Sequence, residues 1–273
     1  MKIAIIGCGY VGSAIARRWR EFGHLVTATT TTQTRVAELE EIAQRVEVMK
    51  GNDAGAILSV IQDQDAVLLS VGAPGGDAYR ESYLETAKTL VEQLKQTSSV
   101  KQLIYTGSYS VYGDKNGEWV DEETPVAPAN ENGEILSETE QVLLGAAGEN
   151  LKVCILRLGG IYGPDRELVK IFSRAAGTTR PGAGEDRTNW IRLEDIVGSI
   201  DFALTKQLQG IYNLVHDVPL TSREVIDRVC ERHNLEKVSW DTSARSTRPY
   251  NAQVSNQKIK AAGYTLIYPE MLL

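Results

Sequence analysis

The sequence predicts an α/β fold, a doubly wound parallel sheet with a small C-terminal cap. Three observations carry this. Short, continuous apolar runs alternate with helix-patterned stretches along most of the chain. Strands that are apolar throughout, rather than at every second residue, belong to a sheet covered on both faces. The first apolar run turns at once into the glycine loop GCGYVG, which opens a helix-forming stretch. From residue 163 onward the pattern breaks into segments rich in Gly, Pro and Arg, such as GPDRE and TTRPGAGEDRTNW.

The expected strands are KIAII (2–6), HLVTAT (24–29), VEVM (46–49), AVLLSV (66–71), KQLIYTG (101–107), LKVCILRL (151–158) and GIYNLV (210–215). Helices are expected over 12–21, 35–43, 54–62, 79–97, 134–147 and 194–205, which makes a repeated βαβ chain. Residues 1–162 and 187–215 are assigned to the sheet domain, and 163–186 and 216–273 to the cap over the strand ends. Within the cap, two helix-like segments are expected. The second, 255–262, begins after Ser255 and stops at Gly263, a plausible cap pair.

Composition narrows the function classes. The chain has 273 residues, 42% of them hydrophobic and 24% charged, as a soluble globular protein has. Its net charge of −7, with no Lys/Arg block, argues against nucleic acid or an anionic membrane as partner. No apolar run approaches the roughly 18 residues that a membrane helix needs. The opening MKIAIIGCGYVG reads as a buried strand and not as a signal peptide. Cys8, Cys154 and Cys230 lie far apart without metal spacing, and His24, His216 and His233 stand alone. A reduced, cytoplasmic setting with no metal site is expected.

The glycine loop carries the clearest chemistry. In Gly7-Cys8-Gly9-Tyr10-Val11-Gly12 the first glycine makes a tight turn and the second lets backbone approach a pyrophosphate. The third allows close helix–strand packing, and the helix N-terminus faces the anion. Between a strand and a helix at the start of an α/β chain, this spacing reads as a Rossmann dinucleotide site. An NAD site usually has Asp or Glu about 20 residues further on, at the end of the second strand. Here Thr29, Thr30 and Thr31 stand there, with Arg35 behind, a set suited to a 2′-phosphate. NADP is therefore favoured, with NAD kept as the alternative; the threonines otherwise serve to turn the chain. Asn52 or Asp53 is placed to reach the adenine, and Val71-Gly72-Ala73 to line the pyrophosphate or ribose side. Cys8 is read as a small packing residue.

The segments YTGSYSVYGDKNGEWVDEETPVAP, ILRLGGIYGPDR, NWIRLEDIV and RPYNAQVSNQKIKAAGY, together with the glycine loop, resemble the extended short-chain dehydrogenase/reductase superfamily of the NAD-dependent epimerase/dehydratase type. The resemblance spans nearly the whole chain. The loop has GxGxxG in place of the extended group's TGxxGxxG, which points to the atypical branch. The resemblance implies an active-site hydroxyl at Ser108, three residues before VYG. It further implies Tyr-x-x-x-Lys at the start of a later helix. Counting on from Ser108 reaches Glu134-Ile-Leu-Ser-Glu138, with glutamate at both positions. Arg157, Tyr162, Gly163 and Pro164 match the family's RxxNxYGP segment, but Gly160 replaces its Asn. The Asn of the fourth helix is also absent, with Tyr83 nearby instead.

Two glutamates cannot reproduce a phenol whose pKa is lowered by a neighbouring lysine. Glu138 is instead expected to accept hydrogen bonds from the nicotinamide ribose, and Glu134 to act as acid or base if burial lifts its carboxyl towards neutrality. The opposing reading is a solvated acidic first turn that suits the helix dipole. Tyr112 is a further proton-donor candidate, with Tyr109 and Tyr162 as others; strand-to-loop packing is the rival role for Tyr112. Arg187, Arg192, Arg223 and Arg248 are candidates to hold an anionic small-molecule substrate, and Trp119 and Trp190 are expected to pack the cap. The residues do not fix the oligomeric state; the resemblance implies a homodimer as one option, since the family often dimerises through helices that include 134–147. Three functions compete: an NADP-dependent oxidoreductase or epimerase/dehydratase-like enzyme with a rearranged proton relay, a dinucleotide-binding sensor without turnover, and an isomerase or lyase using Glu134.

Overall fold

The structure is a computed structural model that describes residues 1–73 and 76–272. The chain begins β1 (Lys2–Ile6), α1 (Tyr10–Glu21), β2 (Leu25–Thr30), α2 (Val36–Glu40), β3 (Arg45–Val48), α3 (Ala54–Ile61), β4 (Ala66–Leu69), α4 (Asp77–Arg80), α5 (Thr86–Leu94) and β5 (Gln102–Ser108). It continues β6 (Asp114–Val120), α6 (Glu131–Leu144), β7 (Lys152–Leu158), β8 (Gly160–Tyr162), α7 (Leu168–Phe172), β9 (Thr179–Pro181), β10 (Arg187–Thr188), β11 (Trp190–Arg192) and α8 (Leu193–Lys206). It ends β12 (Gly210–Leu214), β13 (Leu220–Thr221), α9 (Ser222–Arg232), β14 (Ser239–Asp241), β15 (Asn251–Val254) and α10 (Gln257–Ala261).

Two compact units result. The first comprises Met1–Ser108, Glu131–Arg157 and Val197–Tyr212. Its sheet runs β12-β7-β5-β4-β1-β2-β3. β1 is parallel to β2 and β4, β2 to β3, and β4 to β5. The order reverses direction at β1, so the loop after β1 opens at the switch point, where such sheets bind ligands. β4 is buried along its length and β1 along all but its first residue, while β3 at the edge is only half-buried. This is why the central strands read as unbroken apolar runs. On one face Ile57, Ile61, Leu90, Leu103, Tyr105 and Ile155 form the core. Each aliphatic side chain among them stabilises by about 1.5–3 kcal/mol when fully buried. On α1, fully buried Trp19 donates its indole N–H to Asp201 Oδ1 of α8 at 3.2 Å, and Arg18 pairs with the same carboxylate.

All seven expected strands and six expected helical regions are present, with shifted ends. The expected helix 79–97 is broken: α4 passes through a π-turn, Glu81–Glu85, into α5. The stretch 35–43 opens with a 3-10 turn, Gln33–Arg35.

The second unit comprises Tyr109–Asn130, Leu158–Ile196 and Asn213–Leu273. It is larger than the expected cap and takes in 109–130, 158–162, 187–196 and 213–215. The reason is pairing that local pattern cannot reveal. β6 lies parallel to β15, β8 parallel to β11, β9 parallel to β14, and β10 antiparallel to β13. Buried Asn189 donates to Ala252 O and accepts from Val254 N, both at 2.9 Å, tying the 187–196 stretch to β15. Asp195 accepts backbone N–H bonds from Ile267 and Tyr268 at 2.6 and 3.0 Å. α9 starts in a capping box, Thr221 with Glu224. α10 falls inside the expected 255–262 segment: the Ser255 hydroxyl accepts from Gln257 N, and Gly263 follows at φ +105°.

Candidate functional site

The glycine loop is shaped by backbone needs that can be read atom by atom. Gly7 has φ +88°, and a Cβ there would stand 2.7 Å from Ser70 O. A Cβ at Gly12 would stand 2.7 Å from Gly7 O, so Gly12 lets α1 close onto the loop. Gly9 is different: a Cβ there meets nothing within 4 Å. It is the residue preceding α1, whose N-terminus has no side-chain cap and no acid in its first turn. The amides of Tyr10 and Val11 therefore begin a helix whose positive end is left for an anion. The turn at Gly7 and the close packing at Gly12 are those that the spacing assigns.

Beside the loop is a cavity of about 300 Å³, lined by Gly7, Cys8, Gly9, Thr29–Thr32, Arg35, Met49, Gly51, Ser70–Gly72, Ser82 and Thr86. The threonines have structural work here. Thr29 Oγ1 accepts from Gly7 N at 3.0 Å, and Thr30 Oγ1 from Thr32 N at 3.1 Å. Arg35 lies across the loop, donating to Cys8 O at 2.6 Å and to Ser13 Oγ at 3.2 Å. It also pairs with Glu38 at 2.9 Å, which holds the Glu38 carboxyl below its ordinary range and the guanidinium above its own. The sequence reading missed this carboxylate because it sits three residues along the helix and not at the strand end. Burial pushes the Cys8 thiol up to about 11, so it is an inert packing group.

Not every expected contact lies in this cavity. Asp53 caps α3, accepting from Ala56 N at 3.0 Å, and Asn52 donates to Glu81 Oε1 at 3.0 Å. Gly51 and Met49 line the cavity instead, because the chain leaving β3 turns in against Thr86. Val71 and Gly72 line it; Ala73 is not among the lining residues.

The expected catalytic groups differ in their surroundings. Ser108 ends β5 and is half-buried. Tyr112 is fully buried in the core of the second unit and donates to Asn213 Oδ1 at 2.9 Å. Packing, the rival role, is what its surroundings support, because a phenol closed off from solvent on all sides cannot meet a substrate. Tyr162 is likewise enclosed, with its hydroxyl 3.0 Å from His216 Nε2. Glu134 and Glu138 are both exposed, and Glu138 faces Arg80 at 3.6 Å. The desolvated shared pocket that an acid–base pair would need is therefore not there.

The buried stripe of α6 is Gly133, Ile135, Leu136, Ser137, Thr139, Glu140 and Leu143. Its carboxylate is Glu140, two residues beyond Glu138 and so about 200° around the helix. Glu140 accepts from Arg157 Nη2 at 2.7 Å and Nε at 3.1 Å, and both side chains are 4% exposed. A Cβ at Gly107 of β5 would lie 3.2 Å from Glu140 Oε1, so the glycine leaves room for the carboxylate. Desolvation pushes the Glu140 carboxyl up, and the Arg157 guanidinium opposes it. The sequence signal for this pair was the phase of Glu140 with apolar Leu136 and Leu143.

The second unit has its own cavity of about 280 Å³, lined among others by Arg180, Asp186, Ser222, Trp240, Arg248 and Tyr250. Arg248 is anchored there, donating to Tyr109 Oη at 2.8 Å and to Tyr250 O at 2.9 Å. Arg192 is committed to Glu194, and Arg223 to Ala183 O. Trp190 packs edge-on against Tyr162 and Phe172, whereas Trp119 is exposed. Among the described residues no cluster of His, Cys, Asp or Glu could hold a metal ion, and no helix is long and apolar enough to cross a membrane.

Comparison with known proteins agrees with this layout. The sequence profile of the NAD dependent epimerase/dehydratase family matches residues 3–214. Protein YeeZ of Escherichia coli K12 is 34% identical over 222 residues, which are 78% of this chain and 77% of that protein. The epimerase family protein ML0860 of Mycobacterium leprae is 27% identical over 81% of this chain and 74% of its own length. Among solved structures, the UDP-Glc/GlcNAc 4-epimerase of Campylobacter jejuni superposes with a TM-score of 0.81 at 19% identity, covering 98% of this chain and 95% of that one. The UDP-glucose 4-epimerase of Thermus thermophilus, solved in complex with NAD, gives 0.79 at 20% identity, covering 97% and 94%. With its glycine loop at the switch point of a doubly wound sheet and the family profile running from β1 to β12, the chain belongs to the NAD-dependent epimerase/dehydratase family.

Proposed function

We propose that this protein binds NADP in preference to NAD and acts as an atypical short-chain dehydrogenase/reductase, an oxidoreductase or epimerase/dehydratase-like enzyme working on a small anionic molecule in the cytoplasm, as a homodimer. One observation carries the cofactor reading: Gly9 opens onto free space at the uncapped start of α1, beside a cavity that Arg35 borders. The residues present fit a dinucleotide. The α1 amides take the pyrophosphate, Gly51 and Met49 border the adenine side, and Arg35 receives the 2′-phosphate by leaving Glu38. When bound, a nicotinamide cofactor supplies hydride transfer. The chain's own residues bind and orient it, with Ser108 at the substrate side. Arg180 and Arg248 in the second-unit cavity favour an anionic substrate.

A titration followed by reduced-nicotinamide fluorescence tests this. NADPH is expected to bind at least about tenfold tighter than NADH, and Arg35→Ala to remove that difference, worth about 1.4 kcal/mol. Equal affinities in the wild type would overturn the NADP preference, and no binding of either would overturn the cofactor reading. The sensor reading keeps one observation in its favour: α6 carries neither tyrosine nor lysine. Tight NADPH binding with no consumption across a panel of anionic carbonyl compounds and sugar nucleotides would select it. The Glu134 reading is weakened by the exposure of that side chain.

A further inference from the structure

Arg35 lines the glycine-loop cavity, and among the described residues of that lining it alone carries a charge. Two sets of partners hold its guanidinium. On the loop side, Nη1 donates to Cys8 O at 2.6 Å and Nη2 to Ser13 Oγ at 3.2 Å. On the α2 side, Nε and Nη2 donate to the two carboxylate oxygens of Glu38 at 3.2 and 2.9 Å. This second set is a two-point grip, the geometry with which an arginine also holds a phosphate. Glu38 therefore occupies the edge of Arg35 that suits a 2′-phosphate.

The two sets differ in how firmly they are built. Cys8 O is backbone of the loop, and the Ser13 hydroxyl donates to the same carbonyl at 3.2 Å, so this side is fixed by the loop and α1. Glu38 sits on the short helix α2 with its side chain 59% exposed. An exposed ion pair is held weakly, so an incoming dianion can displace the carboxylate while Nη1 stays on the loop. Arg17 of α1 also acts on Glu38 and helps to hold its carboxyl below the ordinary range, so a displaced Glu38 keeps a cation nearby. Glu38 lies on α2, three residues beyond Arg35, and not at the end of β2, where a carboxylate grips ribose hydroxyls.

We propose that Glu38 sets the cofactor selectivity of this protein, as an internal anion that competes with the 2′-phosphate of NADP for the Nε–Nη2 edge of Arg35; this rests on the NADP reading above. A ribose without the phosphate makes no demand on that edge, so NAD leaves the Arg35–Glu38 pair closed. NADP has to open it, and its phosphate meets the full charge of Arg35 only once Glu38 has moved aside. Glu38 thus weakens NADP and leaves NAD alone. The wild-type preference is held below what Arg35 gives by itself.

The test is binding and not turnover. The full chain and its Glu38→Gln variant, which keeps the side-chain size and removes the charge, are titrated with NADPH and with NADH by reduced-nicotinamide fluorescence. NADPH is expected to bind Glu38→Gln about three- to tenfold tighter than the wild type, with NADH unchanged within about twofold. The gain should shrink at about 1 M salt, where exposed charges are screened within about 3 Å. In an Arg35→Ala background the same substitution should change NADPH binding by less than about twofold, since no guanidinium is left to compete for. An equal gain in that background would mean general charge repulsion and overturns the competition. NADPH binding that Glu38→Gln leaves unchanged overturns this proposal alone. Weaker NADH binding with no gain for NADPH makes Glu38 a ribose ligand and overturns it as well. A wild type that binds neither dinucleotide overturns the cofactor reading and this proposal with it.

Discussion

The glycine loop and helix α6 are two parts of one unit, yet they relate to the sequence in opposite ways. In the loop, Gly7 and Gly12 make the turn and the close helix packing that their spacing assigns, because each is set by backbone atoms within a few residues or on the adjoining strand. On α6, the spacing that singled out Glu134 and Glu138 selects the wet face, and the carboxylate against the sheet is Glu140. A count along the chain that is wrong by two residues still lands in the same loop. On a helix it lands on the opposite face.

The largest break of this comparison is Arg157→Met. It leaves the Glu140 carboxylate buried without its cation, and should cost about 3–5 kcal/mol in urea unfolding. The pair Glu140→Leu/Arg157→Met should recover much of that loss. If Arg157→Met cost no more than a surface change, α6 would not face the sheet through Glu140.

Next in size is a pH effect from another polar group that tertiary folding encloses. His216 is buried beside Tyr162 and Tyr268 O, and burial lowers it from 6.5 to about 4. Its folded value is depressed, so it contributes stability in full above about pH 6.5. That contribution is lost as pH falls towards about 4, up to about 3 kcal/mol. Burial raises the Glu140 and Asp195 carboxyls, which act in the opposite direction. The clean measurement is therefore wild type against His216→Gln, between pH 7 and pH 4. Their stability difference should narrow as pH falls, and a constant difference would mean that His216 titrates normally.

Within the loop, Gly7→Ala forces a Cβ to 2.7 Å from Ser70 O at a left-handed φ and should destabilise by about 1–3 kcal/mol. Gly9→Ala has free space and should unfold within about 0.5 kcal/mol of wild type, while weakening NADPH binding. Equal thermal shifts in the two variants would erase the distinction between packing glycine and cofactor glycine. The smallest effect belongs to Glu134→Gln and Glu138→Gln. Each should stay within about 0.5 kcal/mol of the wild type in stability, as exposed positions do.

Much of the fold was legible for a physical reason. Strands covered on both faces must be apolar throughout, and KIAII, AVLLSV and LKVCILRL say so without help from the rest of the chain. The strands β6, β8 to β11 and β13 to β15 were not legible. They are mostly two to four residues long, and their partners lie far along the chain, as β6 pairs with β15. The same holds for the site. The turn from strand into helix at Gly7 to Gly12 was readable, but the engagement of Asp53 as a helix cap, of Arg35 with Glu38 and of Tyr112 with Asn213 was not.

By itself, then, the sequence determined the doubly wound sheet, the dinucleotide-type loop at its switch point and the absence of tyrosine and lysine from α6, because each is a matter of residue type at short range. Only the tertiary structure decided which polar side chains are buried and against what. It turned Glu140 to Arg157 and enclosed Tyr112 and His216. Burial depends on the direction in which a helix or strand presents its residues to distant parts of the chain, and a rotation of one or two residues reverses it.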